Sequence, residues 1–372
     1  MQADKNTSIF LKDLADITMG QSPAGSSMNE QTGMEFHQGK TNFGSVFLNC
    51  SKVKTNAPTK IANKDDIVIC VRAPVGVVNI TNRKICIGRG LAALSPKELV
   101  DRDYLFYALQ ASQKAVEKLA AGSTFSSIPG PELCKLELPK QTYEKQKSIG
   151  RALSSADKAI AILEKQISKY ENIKKSTINL LLKPKADWIK KTIGDVCSFF
   201  TSSSKSAYID PDGQYFIVDM GAVSDDGTLI AQKRTNYAHD FLHKNDLIMP
   251  KDDIGGGNII GKAVAIQEND KYILSDHVYK LQTELDATFL SYLINSPKIN
   301  KYMRAMATGS AQLGISKRTI SKCELCFPAD LGQQKAIAQK LGAIDEHINN
   351  LKQQLKKQQD LKQGLMQYFF GD

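Results

Sequence analysis

The chain contains an internal duplication, because residues 146–182 match residues 334–370 at a constant shift of 188 positions. No gap interrupts this alignment, which pairs Asp157 with Asp345. A sequence that repeats its pattern of apolar positions must build two related structural units. The duplication therefore predicts two similar halves joined in one chain.

The duplication extends beyond these two segments. Short matching elements precede each of them in the same order, with a shift that grows from 179 at the openings of the copies to 188 in the long repeats. The matched elements are 14–17 with 193–196, 66–69 with 246–249, 104–107 with 289–292, and 121–128 with 308–315. Between them the copies differ almost completely. Two similar frames therefore carry two different inserts.

Composition places the chain among ordinary globular proteins of two to three domains, since 372 residues contain 42% apolar and 24% charged residues. No run approaches the ~18 apolar residues that a membrane span needs. The opening segment, Met1 to Phe10, is polar and lacks the apolar region of a secretory signal, so we do not expect secretion. Seven cysteines at irregular spacing are typical of reduced thiols. We expect a cytoplasmic protein that does not contact membranes.

The net charge of +10 favours an anionic partner, although the charge is unevenly distributed. Residues 144–183 contain 9 basic and 4 acidic residues, whereas residues 184–331 contain 17 and 18. The excess therefore lies on the first insert and on the long repeats. A solvated helix surface is the alternative interpretation of the basic repeats.

The long repeats show the apolar spacing of a coiled coil, with steps of four and three positions sustained for about three heptads. A helix of roughly 35–40 residues would be some 55 Å long. Two helices with related apolar seams most simply pack against each other, and a pseudo-two-fold axis between the halves makes that pair antiparallel. The predicted helix-pairing positions are Ile149, Leu153, Ile160, Leu163, Ile167, Ile337, Leu341, Ile348, Leu351 and Leu355.

The inserts are predicted to be mixed, strand-rich domains, because short β-branched runs alternate with Gly, Pro, Asn and Asp. Each insert is expected to contain one helix, from Tyr104 to Ala120 and from Thr288 to Met306. The fold class is therefore α+β. The predicted boundaries are residues 1–143 for the first insert, 144–183 for the central helix, 184–331 for the second insert and 332–372 for the C-terminal helix.

Several motifs recur in order in both copies: the Gly-Ser-to-Ile element, the strand ending near Pro139 or Pro328, and the Gln-Lys-x-Ile-x-x-x-Leu-x-x-x-Asp opening of each helix. The first insert adds the motifs at residues 19–23, 38–44 and 87–91. On these residues the chain resembles the specificity subunit of type I restriction-modification enzymes over essentially its whole length.

The resemblance implies that the inserts are target recognition domains, each of which reads one half of a split, asymmetric site in double-stranded DNA. It implies that the paired helices set the spacer between the half-sites. Two modification subunits would dock on this frame, and restriction subunits would join them. S-adenosylmethionine, ATP and Mg would then belong to those partner subunits, with no cofactor or metal in this chain.

The residues themselves also argue against catalysis by this chain. Neither an Asn/Asp-Pro-Pro-Tyr/Phe loop of an amino-methyltransferase nor a phosphate-binding Gly-x4-Gly-Lys-Ser/Thr loop is present, and the Gly-rich stretch 255–261 has the wrong spacing. Cys323 and Cys326 correspond to a strand in the first copy, which favours a strand over a metal site. His239 and His243 lack a carboxylate that would complete a zinc site. We expect no catalytic residues.

The residues that contact DNA are predicted from side-chain chemistry, because Arg donates two hydrogen bonds to guanine and Asn or Gln pairs with adenine. A surface charge or a structural role is the alternative for each of them. The candidates in the first insert are Gln38, Lys40, Asn42, Arg72 and Arg89. Those in the second insert are Lys233, Arg234, Asn236, Lys251, Asn258 and His277.

Two further groups have open interpretations. Asp252 and Asp253 could accept hydrogen bonds from cytosine amines or could be solvated loop carboxylates. A turn is favoured over phosphate binding for the polar residues of the Gly-Ser elements, which are Ser123, Thr124, Ser310 and Gln312.

Two functions remain open on the sequence. The first is a non-catalytic DNA-reading subunit of a methyltransferase and nuclease complex. The second is a stand-alone bipartite DNA-binding protein or structural adaptor. Association with modification subunits separates them, whereas a DNA affinity that falls with salt is expected for both.

Overall fold

The computed structural model describes residues 7–121, 127–309 and 312–371. The chain divides into two compact units. The first contains the described residues up to 166 together with those from 351 onward, and the second contains residues 167–350. Each long helix contributes one part of its length to each unit.

The first unit combines eleven short strands with four short helices and the start of a long helix, among its described residues. The strands are β1 (Ser8–Phe10), β2 (Ala15–Met19), β3 (Met28–Asn29), β4 (Met34–His37), β5 (Lys54–Thr55), β6 (Ile61–Ala62), β7 (Ile67–Cys70), β8 (Val78–Ile80), β9 (Ile85–Ile87), β10 (Leu91–Pro96) and β11 (Glu137–Pro139). The helices are α1 (Leu11–Leu14), α2 (Arg102–Ala111), α3 (Gln113–Ala121), α4 (Gly130–Cys134) and α5 (Tyr143–Leu181).

Two sheets organise the first insert. One has the order β2-β10-β7-β8, the other has the order β3-β5-β4-β9-β6, and β1 pairs separately with β11. Strand β7 is buried along its whole length. Ile67 and Ile69 face the core beneath α2, while Val68 and Cys70 face a second core. Because side chains alternate across a strand, the continuous apolar run of β7 reflects burial on both faces.

The second unit repeats this design. Its strands are β12 (Ile189–Thr192), β13 (Cys197–Phe200), β14 (Tyr215–Val218), β15 (Arg234–Thr235), β16 (Phe241–Leu242), β17 (Leu247–Pro250), β18 (Asp252–Asp253), β19 (Val264–Ala265), β20 (Tyr272–Leu274), β21 (Val278–Thr283), β22 (Leu313–Gly314) and β23 (Glu324–Phe327). Its helices are α6 (Ile193–Val196), α7 (Ala287–Asn295), α8 (Pro297–Met306), α9 (Lys317–Ser321) and part of α10 (Leu331–Phe370).

The sheets of the second insert correspond to those of the first. The order β13-β21-β17-β19 matches β2-β10-β7-β8, and β15-β14-β20-β16 matches four strands of the five-stranded sheet. In both inserts one parallel pair, β4 with β9 and β14 with β20, lies within otherwise antiparallel sheets. Mixed strand and helix content is thus established in both halves.

Two details of the sequence prediction are wrong. The segment predicted as one helix in each insert contains two, because the first is interrupted at Ser112 and the second at Ser296, before Pro297. Proline cannot continue a helix interior, since it lacks the N–H donor and its ring clashes with the preceding turn. No corresponding proline accounts for the first interruption.

The opening elements were also aligned three residues out of register. Helix α6 corresponds to α1 and not to residues 14–17. The backbone shows this directly, since Leu11 N donates to Leu136 O and Ile193 N donates to Cys323 O. The two openings are therefore related by a shift of 182 positions.

The long helices α5 and α10 contain 39 and 40 residues. In the first unit, α5 and the end of α10 contribute to one apolar cluster that includes Leu153 and Phe370. In the second unit, the end of α5 and the start of α10 do so through Ile178 and Ala338. No helix among the described residues combines the length and the hydropathy needed to cross a bilayer.

The predicted pairing positions of the long helices are mostly inaccessible to solvent. Seven are buried, namely Ile149, Leu153, Leu163, Ile167, Leu341, Ile348 and Leu351. Three are half-buried, namely Ile160, Ile337 and Leu355. The assignment of these residues to a helix-pairing seam and the four domain boundaries stay predictions.

Candidate nucleic-acid interface

Three candidate residues of the first insert lie at the ends of strands. Gln38 follows β4, Arg72 follows β7 after one residue, and Arg89 follows β9 after one residue. All three side chains are exposed. Within the described part of the chain, none of these side chains forms a hydrogen bond or an ion pair. Their donors are therefore available to a ligand.

Backbone hydrogen bonds tie these strand ends together. Gly88 N donates to His37 O at 2.7 Å, and Val71 N donates to Gly90 O at 2.9 Å. These bonds join the loop after β4 to the loop after β9, and that loop to the end of β7. Gln38, Arg72 and Arg89 are thereby brought to one edge of the insert.

Glycine is required where these loops meet. A Cβ atom at Gly90 would lie 2.2 Å from Gln38 O, and one at Gly20 would lie 2.1 Å from Gly88 O. Both distances are far below van der Waals contact, so a side chain at either position would separate the loops. The motifs at residues 19–23, 38–44 and 87–91 are therefore one structural site.

This packing identifies a residue that the sequence prediction missed. Gln21 is exposed, its N–H donates to Ile87 O at 3.0 Å, and its carbonyl accepts from Thr59 Oγ1. Its side chain has no hydrogen-bond partner among the described residues. An amide inside a recognised motif was the signal that could have found it. The first loop edge is defined as Gln21, Gln38, Arg72 and Arg89.

The other two candidates of the first insert lie on the 3₁₀ turn that follows Gln38. Lys40 is exposed, whereas Asn42 is half-buried. The carbonyl of Asn42 accepts a hydrogen bond from Asn49 N at 2.8 Å. Lys40 is thus placed near the first loop edge along the chain, and Asn42 holds its own turn closed.

A half-buried ion pair supports the strand that ends at Gln38. Arg83 donates from Nε and Nη2 to the two carboxylate oxygens of Glu35, at 3.0 and 2.6 Å. Ser51 N donates to the same carboxylate at 2.9 Å. Burial alone would raise the pKa of Glu35, but these hydrogen bonds and the Arg83 charge lower that pKa from 4.5 to about 2. Burial lowers the pKa of the neighbouring His37.

The second insert has the same backbone frame at its loop end. Ser275 N donates to Val218 O at 3.0 Å, and Lys251 N donates to His277 O at 2.9 Å. These bonds correspond to those from Gly88 N and Val71 N in the first insert. The carboxylates at the equivalent positions are Asp219 for Gln38, Asp252 for Arg72 and Asp276 for Arg89. The second loop edge is defined as Asp219, Asp252, Asp276 and His277.

His277 lies between two carboxylates of this edge. Its Nδ1 is 2.6 Å from Asp252 Oδ2, and its Nε2 is 3.3 Å from Asp276 Oδ2. Its backbone has a φ of +64°, at the position that Gly90 occupies in the first insert. Both ring nitrogens are therefore engaged within the insert.

Two more candidates of the second insert are bound to neighbouring side chains. Lys233 Nζ lies 2.5 Å from Asp219 Oδ2. Asn236 donates to Asp210 Oδ2 at 2.7 Å, and its Oδ1 accepts from Gln214 N at 3.1 Å. Asn236 therefore stabilises a turn, while Lys233 neutralises a carboxylate of the second loop edge.

The remaining candidates of the second insert lie in different environments. The guanidinium of Arg234 lies 4.8 Å from the centre of the Phe216 ring and is half-buried. Lys251 Nζ lies 5.8 Å from the centre of the Tyr279 ring. Asn258 is exposed on the Gly-rich loop. The structure does not bring these three side chains into a single row.

The buried glutamine of each helix-opening motif has a structural role. Gln146 accepts a hydrogen bond from Asp101 N at 2.9 Å, and Gln334 accepts one from Asp286 N at 2.9 Å. Asp101 caps the N-terminus of α2, and Asp286 caps that of α7. The glutamine therefore joins each insert to the long helix that follows it.

A second contact joins α2 to the long helices. Tyr107 donates from its hydroxyl to Asp157 Oδ2 at 2.6 Å, and Lys362 Nζ lies 2.7 Å from Asp157 Oδ1. Lys362 also lies 5.5 Å from the centre of the Tyr107 ring. This group of three side chains, the first clamp, links α2, α5 and α10.

The second unit has an equivalent group. Tyr292 donates to Asp345 Oδ2 at 2.7 Å, and Lys174 Nζ lies 2.6 Å from Asp345 Oδ1. This second clamp links α7, α10 and α5, with the two long helices in exchanged roles. Each clamp draws its lysine from the long helix that does not carry its aspartate. The two clamps therefore use the same three residue types at matched positions of the duplicated sequence.

Some sequence candidates are not informative about a ligand site. Ser123, Thr124 and Ser310 lie outside the described residues, and Gln312 is exposed. Cys326 lies in β23, as the strand interpretation of its segment predicted. Among residues 7–121, 127–309 and 312–371, no group of three or more His, Cys, Asp or Glu side chains is arranged to hold a metal ion.

Comparison with known proteins identifies the family. The model of the type I restriction modification DNA specificity domain matches residues 4–172 and again residues 185–359. The chain belongs to this family. It is 43% identical over 168 residues to the type I restriction enzyme MjaX specificity subunit of Methanocaldococcus jannaschii, a match that covers 45% of this chain and 39% of that relative.

Longer matches to this family have lower identity. The MjaVIII specificity subunit of the same organism is 22% identical over 351 residues, which cover 84% of this chain and 80% of the relative. The crystal structure of the S subunit from M. genitalium has a TM-score of 0.73 at 16% identity and covers 100% of this chain and 98% of that one. That structure shows the shared specificity-subunit fold.

Proposed function

We propose that this chain is the non-catalytic DNA-specificity subunit of a type I restriction-modification complex, and that each insert reads one half of a bipartite, asymmetric DNA site. The observation that carries this proposal is the second specificity domain in the same chain, with its own loop edge on the same backbone frame. Two reading surfaces of different chemistry suit a site whose halves differ.

Membership of this family supports a proposal for the partners. Two modification subunits dock on the duplicated frame, restriction subunits join them, and the complex acts on double-stranded DNA in the cytoplasm. S-adenosylmethionine, ATP and Mg belong to those partner subunits. The duplicated helices support two modification subunits, because two equivalent surfaces accept two copies of one partner.

The long helices form an antiparallel coiled coil that sets the spacer between the half-sites. A 39-residue helix is about 58 Å long, which exceeds the ~34–36 Å of one DNA turn. The clamps and the buried glutamines Gln146 and Gln334 attach each insert to these helices through several hydrogen bonds. Such attachments transmit the helix length to the insert position, which a flexible linker would not do.

The test is single-molecule sequencing of DNA from cells that express this chain with its neighbouring modification subunit. A methylated adenine within a motif split by a fixed spacer is the expected result. A contiguous motif would overturn the two-reader proposal. An absence of modification, with the modification subunit folded and bound, would favour a stand-alone bipartite DNA-binding protein.

The same assay tests the helices as a ruler. Inserting four residues at equivalent points of both α5 and α10 lengthens each by ~6 Å, close to two base pairs at ~3.4 Å each. We expect the modified motif to keep both halves and to gain about two base pairs of spacer. An unchanged spacer in the modified DNA would contradict the ruler.

A further inference from the structure

We propose that the first loop edge recognises guanine through Arg72 and Arg89, with Gln21 and Gln38 available for adenine, and that the second insert is unable to make these guanine contacts from its equivalent positions. This inference rests on the proposed function. It assigns the direct reading of bases to four positions of the first insert, and it predicts that the two half-sites are recognised by different chemistry.

The first step is geometric. The four residues lie just after the ends of four strands, β2, β4, β7 and β9. Backbone hydrogen bonds and close glycine contacts hold these segments together. The ion pair between Glu35 and Arg83 fixes β4 directly before Gln38. Side chains on such a supported edge lose little backbone entropy on binding, which favours specific contacts over loose ones.

The second step is the availability of donors. Arg72, Arg89, Gln21 and Gln38 are exposed, and their side chains have no partner among the described residues. An arginine in a protein surface commonly pairs with a carboxylate, as Arg83 and Arg102 do here. Two unpaired arginines on one edge therefore leave two complete guanidinium groups for a ligand with acceptors.

The third step is the chemistry of the base edges. In the major groove guanine presents two acceptors, N7 and O6, which match the two donors of a guanidinium. Adenine presents one acceptor and one donor, which match the amide of glutamine. A phosphate would also attract arginine. The presence of two uncharged glutamine amides beside the two arginines on one edge favours base reading over phosphate binding.

The equivalent edge of the second insert excludes the same contacts. Asp252 and Asp276 occupy the positions of Arg72 and Arg89, and a carboxylate cannot donate to guanine N7 or O6. The donors nearby are already engaged, since His277 lies between these two carboxylates and Lys233 is bound to Asp219. The pair between Lys233 and Asp219 also reduces the negative charge that would otherwise repel DNA.

The experiment uses the full chain in complex with its modification subunit, after the methylated motif of the wild-type complex has been determined. Binding to duplexes that carry every single base-pair change in the motif is measured for Arg89→Gln, Arg72→Gln and the control Lys84→Gln. Lys84 is an exposed cation at the start of β9, the end opposite to Arg89.

We expect each arginine variant to lose the preference for guanine at one position of one half-site, by about 5- to 150-fold in relative affinity. The other half-site should be unaffected, which also shows that the variant is folded. Lys84→Gln should keep the full preference. Methylation patterns in cells should relax at the same base pair.

Two outcomes would overturn the inference. An affinity that falls equally for all sequences would assign the arginines to phosphates, and an unchanged base preference would remove them from the interface. Either result leaves the wild-type split motif in place and therefore leaves the proposed function standing. A wild-type complex with no split motif would instead refute the proposed function itself.

Discussion

The two inserts share their frame and differ at their loop edges. The backbone bonds from Gly88 and Val71 are repeated by those from Ser275 and Lys251, with lengths between 2.7 and 3.0 Å. On that common frame the first insert carries Arg and Gln side chains that have no partner among the described residues, and the second carries paired Asp side chains. The frame is held by packing and hydrogen bonds inside the protein, so it is shared by both inserts. The residues of the edge can differ, because each edge is fitted to the ligand that it contacts.

The inserts also differ one layer below the edge. Glu35 of the first insert forms a half-buried ion pair with Arg83, while the equivalent residue in β14 is Phe216, which stacks with Arg234. Both arrangements hold the strand that leads into the edge. The same support is therefore achieved by charge in one insert and by an aromatic contact in the other.

The clamps provide the largest expected effect on stability. Asp157→Ala removes the carboxylate that pairs with Lys362 and Tyr107, and we expect it to lower the free energy of unfolding by about 3 kcal/mol. Asp345→Ala should cost less, because the Asp345 side chain is 29% exposed and that of Asp157 is 13% exposed. Denaturant titration measures both.

The matched control is Asp360→Ala on α10, whose carboxylate is 56% exposed and pairs, among the described residues, with Lys356 one turn away. An exposed pair of this kind contributes about 0.2–1 kcal/mol. If the clamp variants cost no more than this control, the clamps do not hold the inserts to the helices. If Asp345→Ala alone is costly, the two copies are not energetically equivalent.

The ion pair beneath the first loop edge predicts a difference in acid stability between the inserts. The pKa of Glu35 is lowered to about 2 in the folded protein. Its contribution is therefore fully present above its ordinary pKa of 4.5 and is lost as the pH falls toward 2. Glu35→Gln should lower the free energy of unfolding of the first insert by about 2 kcal/mol near neutral pH. The variant should also lose the part of the acid sensitivity that comes from protonation of Glu35.

Hydrogen exchange of the two inserts, followed from about pH 5 to pH 2, measures this difference. The first insert should lose protection earlier in the wild type than the second, whose Phe216 does not titrate. Glu268→Gln is the control, because Glu268 is an exposed partner of Lys271. Equal acid sensitivity in wild type and Glu35→Gln would show that the ion pair does not stabilise the first insert.

The clamp tyrosines give the smallest effect and a test at high pH. Burial raises the pKa of both Tyr107 and Tyr292, and the hydrogen bonds to Asp157 and Asp345 raise it further. The folded state therefore favours the protonated phenol, and this stabilisation is present below about pH 10 and is lost as the pH rises above that value.

Tyr107→Phe and Tyr292→Phe should each lower the free energy of unfolding by about 1 kcal/mol at neutral pH. Each should also flatten the loss of stability above about pH 10, measured by denaturant unfolding at a series of pH values. The control Tyr368→Phe changes an exposed phenol, with 64% of the residue accessible. A variant whose alkaline profile matches wild type would show that its tyrosine does not titrate with unfolding.

The helices and several strands were predictable from the sequence because their signals are periodic. The repeat at 188 positions predicted two long helices, and the runs that became β7 and β17 were recognised from their β-branched composition. The opening alignment failed because four-residue matches such as 14–17 with 193–196 carry too little periodicity to fix a register. The break between α2 and α3 at Ser112 was not predictable, because no proline lies near it in the sequence.

The candidate site was predictable only as residue types. Arg72, Arg89 and Gln38 were chosen from their chemistry, but their joining into one edge depends on hydrogen bonds between strands that are distant in sequence. The same chemistry selected Asn236, which instead holds a turn through Asp210 and Gln214. The type of a side chain indicates which contacts to DNA are possible. The neighbouring residues in the fold determine whether that side chain is already bound within the protein.

The sequence by itself therefore determined the duplication, the α+β class and the resemblance to a family, because periodicity and ordered motifs are local properties of a chain. The tertiary structure decided which polar residues remain free. Strand pairing placed Arg89 and Asp276 at equivalent positions of two inserts that share almost no sequence there. Burial and ion pairing then left Arg89 without a partner in the described part of the chain and brought Asp276 to His277.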